Sequence, residues 1–160
     1  MSKPADSLNV LISHVAADEA LAHRAAAALR RAGHQVWTGD EIYPGDNWAA
    51  KYAEALEQSD AMIPLLSPAA LDSERVQSDL AFALGQKRYA NRLIPVFTAG
   101  ADPQSERFPW VLRRFPLVRM TDGADSEEAA FREVTAMLKD SAAGTSEANA
   151  TLTAKTADAG

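Results

Sequence analysis

Short apolar runs alternate with amphipathic stretches along this chain, and that alternation limits its possible folds more than any other feature. The runs Asn9–Ser13, Gln35–Thr38 and Ala61–Leu66 have the length and composition of strands. Two further strands are predicted over Arg92–Phe97 and Leu117–Met120. Strands that alternate with helices pair in parallel through right-handed crossovers. We therefore predict an α/β fold with a five-stranded parallel, doubly wound sheet.

The helices are predicted from apolar residues that recur at helical spacing. They cover Asp18–Arg31, Trp48–Gln58, Leu71–Tyr89 and Ser126–Lys139. Pro64 lies inside the third predicted strand. Because proline removes a donor from the hydrogen-bond ladder, we expect that strand position to lie near an edge or an irregularity of the sheet.

Composition sets the predicted boundaries of the folded part. Residues 141–160 consist mostly of Ala, Thr, Ser and Gly, and they cannot bury enough apolar surface to offset the cost of ordering. We predict a disordered N-terminus over residues 1–7, one domain over residues 8–140 and a disordered tail over residues 141–160.

Charge and residue usage exclude several functions. The formal net charge of −6 argues against nucleic acid or an anionic membrane as a partner. The chain has no cysteine, which removes disulfides, thiolate zinc sites and cysteine nucleophiles, and its 3 histidines share no metal-ligand spacing. No apolar run approaches the roughly twenty residues that span a bilayer. Because no apolar signal core follows the polar first residues, we expect a cytoplasmic protein without a metal.

Ligands of doubly wound sheets bind outside the carboxyl ends of the strands. The segments that follow the predicted strands contain neither Gly-x-Gly-x-x-Gly nor a phosphate loop that ends in Gly-Lys-Ser/Thr, so dinucleotide and triphosphate sites of those kinds are excluded. A phosphoacceptor receiver domain would need an acidic pair after the first strand and an aspartate after the third. Ser13-His14 and Leu66-Ser67-Pro68 occupy those places instead, so the receiver interpretation fails.

A series of short motifs, in order along the chain, resembles the Toll/interleukin-1 receptor (TIR) domain in its bacterial form. The motifs are Leu11-Ile12-Ser13 with Asp18 downstream, Gly45-Asp46-Asn47-Trp48, Ala55-Leu56, Ser59-Asp60, Leu66-Ser67-Pro68, Ser73 and Leu80. The stretch Ile42–Trp48 resembles the BB loop of that family. The resemblance covers residues 8–140 and implies the flavodoxin-like TIR fold.

The resemblance implies two kinds of activity. Many TIR domains cleave the nicotinamide–ribose bond of NAD⁺, and some cyclise the product, whereas others act only through TIR–TIR association. The cleaving members carry a glutamate in a pattern like Ser-x-Trp-x-x-x-Glu, and its carboxylate is thought to hold the ribose hydroxyls. Aligning Ser73 with the motif serine places Arg75 at the tryptophan and Asp79 at the glutamate. Aspartate is shorter by a methylene, and a misplacement of about 1 Å can cost on the order of 10²-fold in rate.

These residues form the candidate site. If the chain is an enzyme, Asp79 is its catalytic residue, and NAD⁺ is a substrate rather than a cofactor. The substrate-binding candidates are Ser13, His14, Trp37, Trp48, Ser73 and Arg75. Each has a competing structural interpretation: Asp79 and Arg75 are four residues apart and could form an ion pair on the helix surface. The tryptophans could pack in the core, and the serine after a strand could cap the next helix.

The BB loop supplies the candidate interface. Its residues are Asp40, Glu41, Pro44, Gly45 and Asp46. The competing interpretations are a solvated loop and an acidic patch that meets Arg30, Arg31 or Arg113-Arg114 of a neighbouring copy.

Three functions follow, from different classes. The first is a TIR signalling or assembly module that associates with itself or with another TIR-domain protein. The alternative is an active NAD⁺ glycohydrolase or cyclase that uses Asp79, in bacterial defence or as an effector. A nucleoside deoxyribosyltransferase-like enzyme would share the sheet and the N-glycosidic chemistry, but the sequence has no convincing nucleophile signature for it.

Overall fold

The computed structural model describes residues 7–38, 47–89, 92–123 and 125–140, without the side chains of Arg88 and Arg113. The BB-loop candidates at positions 40–46 and the predicted tail at positions 141–160 therefore lie outside the described residues. So do positions 1–6 of the predicted disordered N-terminus.

The sheet has five strands, and every pair of neighbours is parallel. The strands are β1 (Asn9–Ser13), β2 (Gln35–Trp37), β3 (Ala61–Leu66), β4 (Val96–Phe97) and β5 (Val118–Arg119). Their order across the sheet is β2-β1-β3-β4-β5. The predicted doubly wound α/β fold is thus confirmed, since this order places crossover helices on both faces of a parallel sheet.

The helices are α1 (Glu19–Arg31), α2 (Trp48–Gln58), α3 (Pro68–Leu71), α4 (Glu74–Leu84) and α5 over residues 125–140. The single helix predicted over Leu71–Tyr89 is wrong in extent. The chain breaks at Ser73, whose hydroxyl accepts a hydrogen bond of 3.2 Å from the Val76 amide and so starts α4 as its N-cap. At the other end α4 stops at Leu84, and Lys87–Tyr89 forms a separate 3₁₀ turn.

Pro64 lies at an irregularity of the sheet, which is one of the two positions predicted for it, and not at an edge. β3 is the central strand rather than an edge strand, and Pro64 is buried beside Ser13 of β1. On the other side of β3, Met62 forms an isolated bridge with Leu93, and regular pairing with β4 begins only at Leu65 and Val96. Proline has no amide hydrogen to donate, so the ladder is interrupted at this point and β4 is shorter than predicted.

Two apolar layers cover the sheet. α1 and α5 pack on one face, where Leu29 and Leu138 meet Ile12. α2 and α4 pack on the opposite face, where Tyr52 and Leu80 belong to the same core cluster as Leu11. Because neighbouring residues of a strand point to opposite faces, β1 serves both layers. This arrangement brings α2 and α4 together beside the carboxyl end of β1.

Within the described ranges, no helix is both long and apolar enough to cross a membrane.

Candidate functional site

The carboxylate of Asp79 lies buried at the carboxyl end of β1. Asp79 is only 3% exposed. Ser13, the last residue of β1, donates its hydroxyl to Oδ2 of Asp79 at 2.7 Å. Tyr52 of α2 donates its phenol to the same oxygen at 2.6 Å. One carboxylate therefore joins a strand and two helices at the sheet edge where ligands bind in this fold.

Burial controls the protonation of this cluster. Loss of hydration raises the pKa of Asp79, while the hydrogen bonds from Tyr52 and Ser13 and the positive charge of Arg75 act in the opposite direction. Burial also raises the pKa of Tyr52, and the negative charge of Asp79 adds to that shift. Tyr52 therefore remains a neutral donor at physiological pH.

Arg75 forms the outer layer of the cluster. Its guanidinium carbon lies 5.4 Å from the centroid of the Trp48 ring and 5.5 Å from that of Tyr52. The two rings are stacked, with centroids 4.8 Å apart and planes 9° from parallel. Arg75 also donates to the backbone carbonyl of His14. The interpretation of Asp79 as the solvated half of a surface ion pair is wrong, because its carboxylate is buried and bound by two hydroxyls.

Four of the six substrate-binding candidates meet here: Ser13, His14, Trp48 and Arg75. The imidazole Nδ1 of His14 is turned inward, 3.4 Å from the Ile12 carbonyl. The other two candidates have structural contacts elsewhere. Ser73 caps α4, and Trp37 is half-buried against the core on this face of the sheet.

Tyr52 is the site residue that sequence reasoning missed, because its apolar neighbours placed it in the core. Its spacing of one helical turn from Trp48 was the available signal. A similar polar contact follows β3, where Ser67 caps α3 and donates to Oδ2 of Asp18 at 2.5 Å. The capping interpretation thus applies to Ser67, whereas Ser13 binds Asp79.

The arrangement limits the available chemistry. The Oδ2 atom of Asp79 already accepts two hydrogen bonds, whereas Trp48 remains 40% exposed. In the part of the chain that the structure describes, no group of three or more acidic or histidine side chains is arranged to hold a metal ion.

Comparisons with known proteins identify relatives of the chain. Residues 10–135 match the protein family described as TIR domain. No curated protein sequence matches the chain.

Solved structures share the fold. A TIR–STING receptor from C. gigas, in complex with 2′,3′-cGAMP, superposes with a TM-score of 0.64 at 21% identity, over 79% of this chain and 39% of the receptor. The TIR domain of the Toll-related receptor TRR-2 from Hydra magnipapillata also gives 0.64, at 19% identity, over 81% of this chain and 97% of that domain. The TIR domains of the activated Roq1 resistosome, which recognises the pathogen effector XopQ, give 0.52 at 15% identity, over 84% and 83%.

Proposed function

The chain belongs to the TIR domain family, and we propose that it is a cytoplasmic signalling and assembly module that acts through TIR–TIR association. The partner is a second copy or another TIR-domain protein. The absence of cysteine from the sequence is consistent with a reducing compartment.

The state of Asp79 is the observation that carries this proposal. In the TIR domains that cleave NAD⁺, a carboxylate is thought to hold the ribose and to stabilise its developing positive charge. Here Asp79 is only 3% exposed, and its Oδ2 atom accepts hydrogen bonds from both Tyr52 and Ser13. A ligand that contacts Oδ2 would have to compete with those bonds, and the aspartate side chain is shorter than the family's glutamate. Asp79 is therefore better suited to joining elements of the fold than to catalysis.

Arg75 adds a second argument against the enzyme. Its cation lies over the rings of Trp48 and Tyr52, close enough to Asp79 to lower the pKa of that carboxyl. A positive charge beside the site disfavours the oxocarbenium-like transition state, since like charges repel most where water is excluded.

Association has support of its own. The Roq1 TIR domains belong to an assembled resistosome. In this sequence the stretch before α2 carries three acidic residues, Asp40, Glu41 and Asp46. Charges at the rim of an interface make the two partners electrostatically complementary and steer their diffusional encounter.

Light scattering at increasing protein concentration tests the proposal. We expect the mass of the native chain to rise with concentration, and we expect Asp46→Arg to weaken that rise without unfolding the domain. Asp122→Arg is the matched control, because it makes the same charge change at an exposed position that follows β5. A mass that stays monomeric at every concentration would contradict self-association. Equal effects of the two variants would remove the BB loop from the interface.

Nicotinamide release from NAD⁺ tests the alternative. Concentrated native protein is expected to release little or none. Brisk release that is lost in a folded Asp79→Asn variant would make Asp79 a catalytic residue and replace the assembly proposal with the enzyme.

A further inference from the structure

A groove lies between the second half of α1 and α5, on the face of the sheet opposite to α2 and α4. It is open to solvent and has a volume of about 540 Å³. Arg24 pairs with Glu127 at 2.5 Å and ties the two helices together at one end of the groove. The two walls of this α1/α5 groove are therefore held in place by a direct contact between them.

The floor of the groove is apolar and consists mostly of small side chains. Ala28 and Ala32 contribute to it from α1, and Ala136 contributes from α5. The half-buried ring of Phe131 lines the groove and also packs against the core cluster under the two helices. Packed helices lie about 8–10 Å apart, axis to axis, and small side chains at the contact allow this close approach. The floor therefore suits a third helix that lies over the seam between α1 and α5.

The rim of the groove is positive, although the chain as a whole carries a net charge of −6. Arg31, Arg132 and Lys139 supply three exposed cations against the single carboxylate of Glu128. Over the ranges that the structure describes, none of these three cations forms a hydrogen bond or an ion pair. Their charge is therefore available to an anionic partner.

The spacing of the charges on α5 matches the repeat of a second helix. Arg132 and Lys139 are separated by two helical turns, which corresponds to about 10.5 Å along the axis of α5. Carboxylates at positions i and i+7 of a helix that lies alongside have the same separation. From Glu128 to Lys139 the groove follows α5 for about 16 Å, which is the length of three helical turns.

We propose that the α1/α5 groove binds an acidic amphipathic helix of a partner protein. The apolar side of that helix packs on the alanines and Phe131, and its carboxylates face the cations of the rim. This partner class goes beyond the proposed TIR–TIR association and does not depend on it. A contact of about three helical turns is smaller than a standard interface, so binding is weak and reversible.

Fluorescence anisotropy with a designed peptide tests this assignment. The probe is a labelled peptide of about 18 residues, long enough to form a helix, with leucine at positions i, i+3, i+4 and i+7 and glutamate on both sides of that stripe. We expect it to bind the native chain. A peptide with lysine in place of every glutamate should bind about tenfold more weakly, and so should a peptide of the same composition whose leucines lack helical spacing.

Variants of the chain locate the peptide on its surface, and circular dichroism verifies that each one is folded. Arg132→Glu should raise the Kd of the acidic peptide by about tenfold, because attraction between exposed charges is replaced by repulsion. Lys87→Glu is the matched control, since it reverses an exposed cation away from the groove. Ala136→Lys adds a cation but fills the floor, so it should weaken binding, whereas Ala129→Lys adds the same charge at an exposed position of α5 that does not line the groove.

Several results would overturn the assignment. One is the absence of binding to the native chain, and another is equal binding of the acidic and lysine peptides. Equal Kd values for Arg132→Glu and Lys87→Glu would place the peptide outside the groove. Stronger binding by Ala136→Lys would show attraction by charge alone, without a packed helix. If Arg132→Glu instead lowers the mass of the chain in light scattering and leaves peptide binding unchanged, the groove is a contact between copies and not a site for a partner helix.

Discussion

Replacing Asp79 with alanine tests whether the buried carboxylate holds the fold together. The change removes the shared acceptor of Ser13 and Tyr52 and leaves both hydroxyls in a buried site. We expect a folded but clearly destabilised domain, since three elements lose their common polar contact.

The magnitude follows from the two hydrogen bonds. A buried donor left without its partner costs about 1–3 kcal/mol. The variant also removes a carboxylate whose burial is unfavourable, as the raised pKa of Asp79 indicates, and this offsets part of the loss. We therefore expect Asp79→Ala to lower the free energy of unfolding by about 2–4 kcal/mol. For a domain of this size, that corresponds to a Tm lower by about 6–12 °C.

Urea denaturation and thermal unfolding, followed by circular dichroism, measure this loss. Glu57→Ala is the control, because it removes an exposed carboxylate from α2 and should change stability by no more than about 0.5 kcal/mol. Asp79→Asn should cost less than Asp79→Ala, since its amide oxygen can accept from both hydroxyls without burying a charge. Tyr52→Phe should give an intermediate loss that is not additive with Asp79→Ala, because the two side chains share one bond.

A small effect would refute this reasoning. If Asp79→Ala lowers stability no more than Glu57→Ala does, the hydroxyl contacts contribute nothing to the fold. The carboxylate would then have no structural role to explain its burial, and the case against a catalytic Asp79 would lose its main support.

Three further predictions concern pH, catalysis and the chain end. The pKa of Asp79 is raised above its ordinary value of 3.8, so its contribution to stability is present below that pH and is lost as the pH rises through the folded-state pKa. The free energy of unfolding of the native chain, relative to Asp79→Asn, should therefore fall as the pH increases from about 4, and a flat difference in urea melts would contradict the shift. Restoring the family pattern with Asp79→Glu and Arg75→Trp together should raise nicotinamide release more than Asp79→Glu alone, as measured by chromatography; no release from any of these proteins would show that the loss extends beyond the two positions. Removing residues 141–160 should change the Tm by no more than about 2 °C if the tail is unordered as its composition predicts, because such residues make few contacts. A loss of several degrees in calorimetry would show that the tail docks on the domain.

Local signals in the sequence were strong enough to place several elements. The predicted bounds of β1, α2 and β3 agree with the structure. Each depends on features within the segment itself, such as a continuous apolar run or an N-cap like Asn47, whose side chain accepts from the Ala50 amide. Where a cap lay inside a helical pattern, as at Ser73, periodicity alone joined two helices into one.

The sequence named part of the cluster around Asp79, but it missed Tyr52 and did not predict that Asp79 is buried. The motif alignment named Asp79, Arg75 and Ser13, and the structure brings them together. The sequence could not show that Asp79 is buried, since on a helical wheel the residue lies at the flank of the apolar stripe of α4. Burial of a flank position depends on what packs against it, and here that is Tyr52, 27 residues earlier in the chain.

The sequence by itself determined the α/β class, because the order of strands and helices fixes how a chain can pair and cross over. It also determined the net charge and the shorter side chain at position 79. Only the tertiary structure decided that β3, despite Pro64, is the central strand, and that Arg75 lies over the Trp48 and Tyr52 rings rather than in a surface pair. Strand order and side-chain burial arise from contacts between segments far apart in the chain. The free energy of such contacts depends on both partners, so it cannot be predicted from one segment alone.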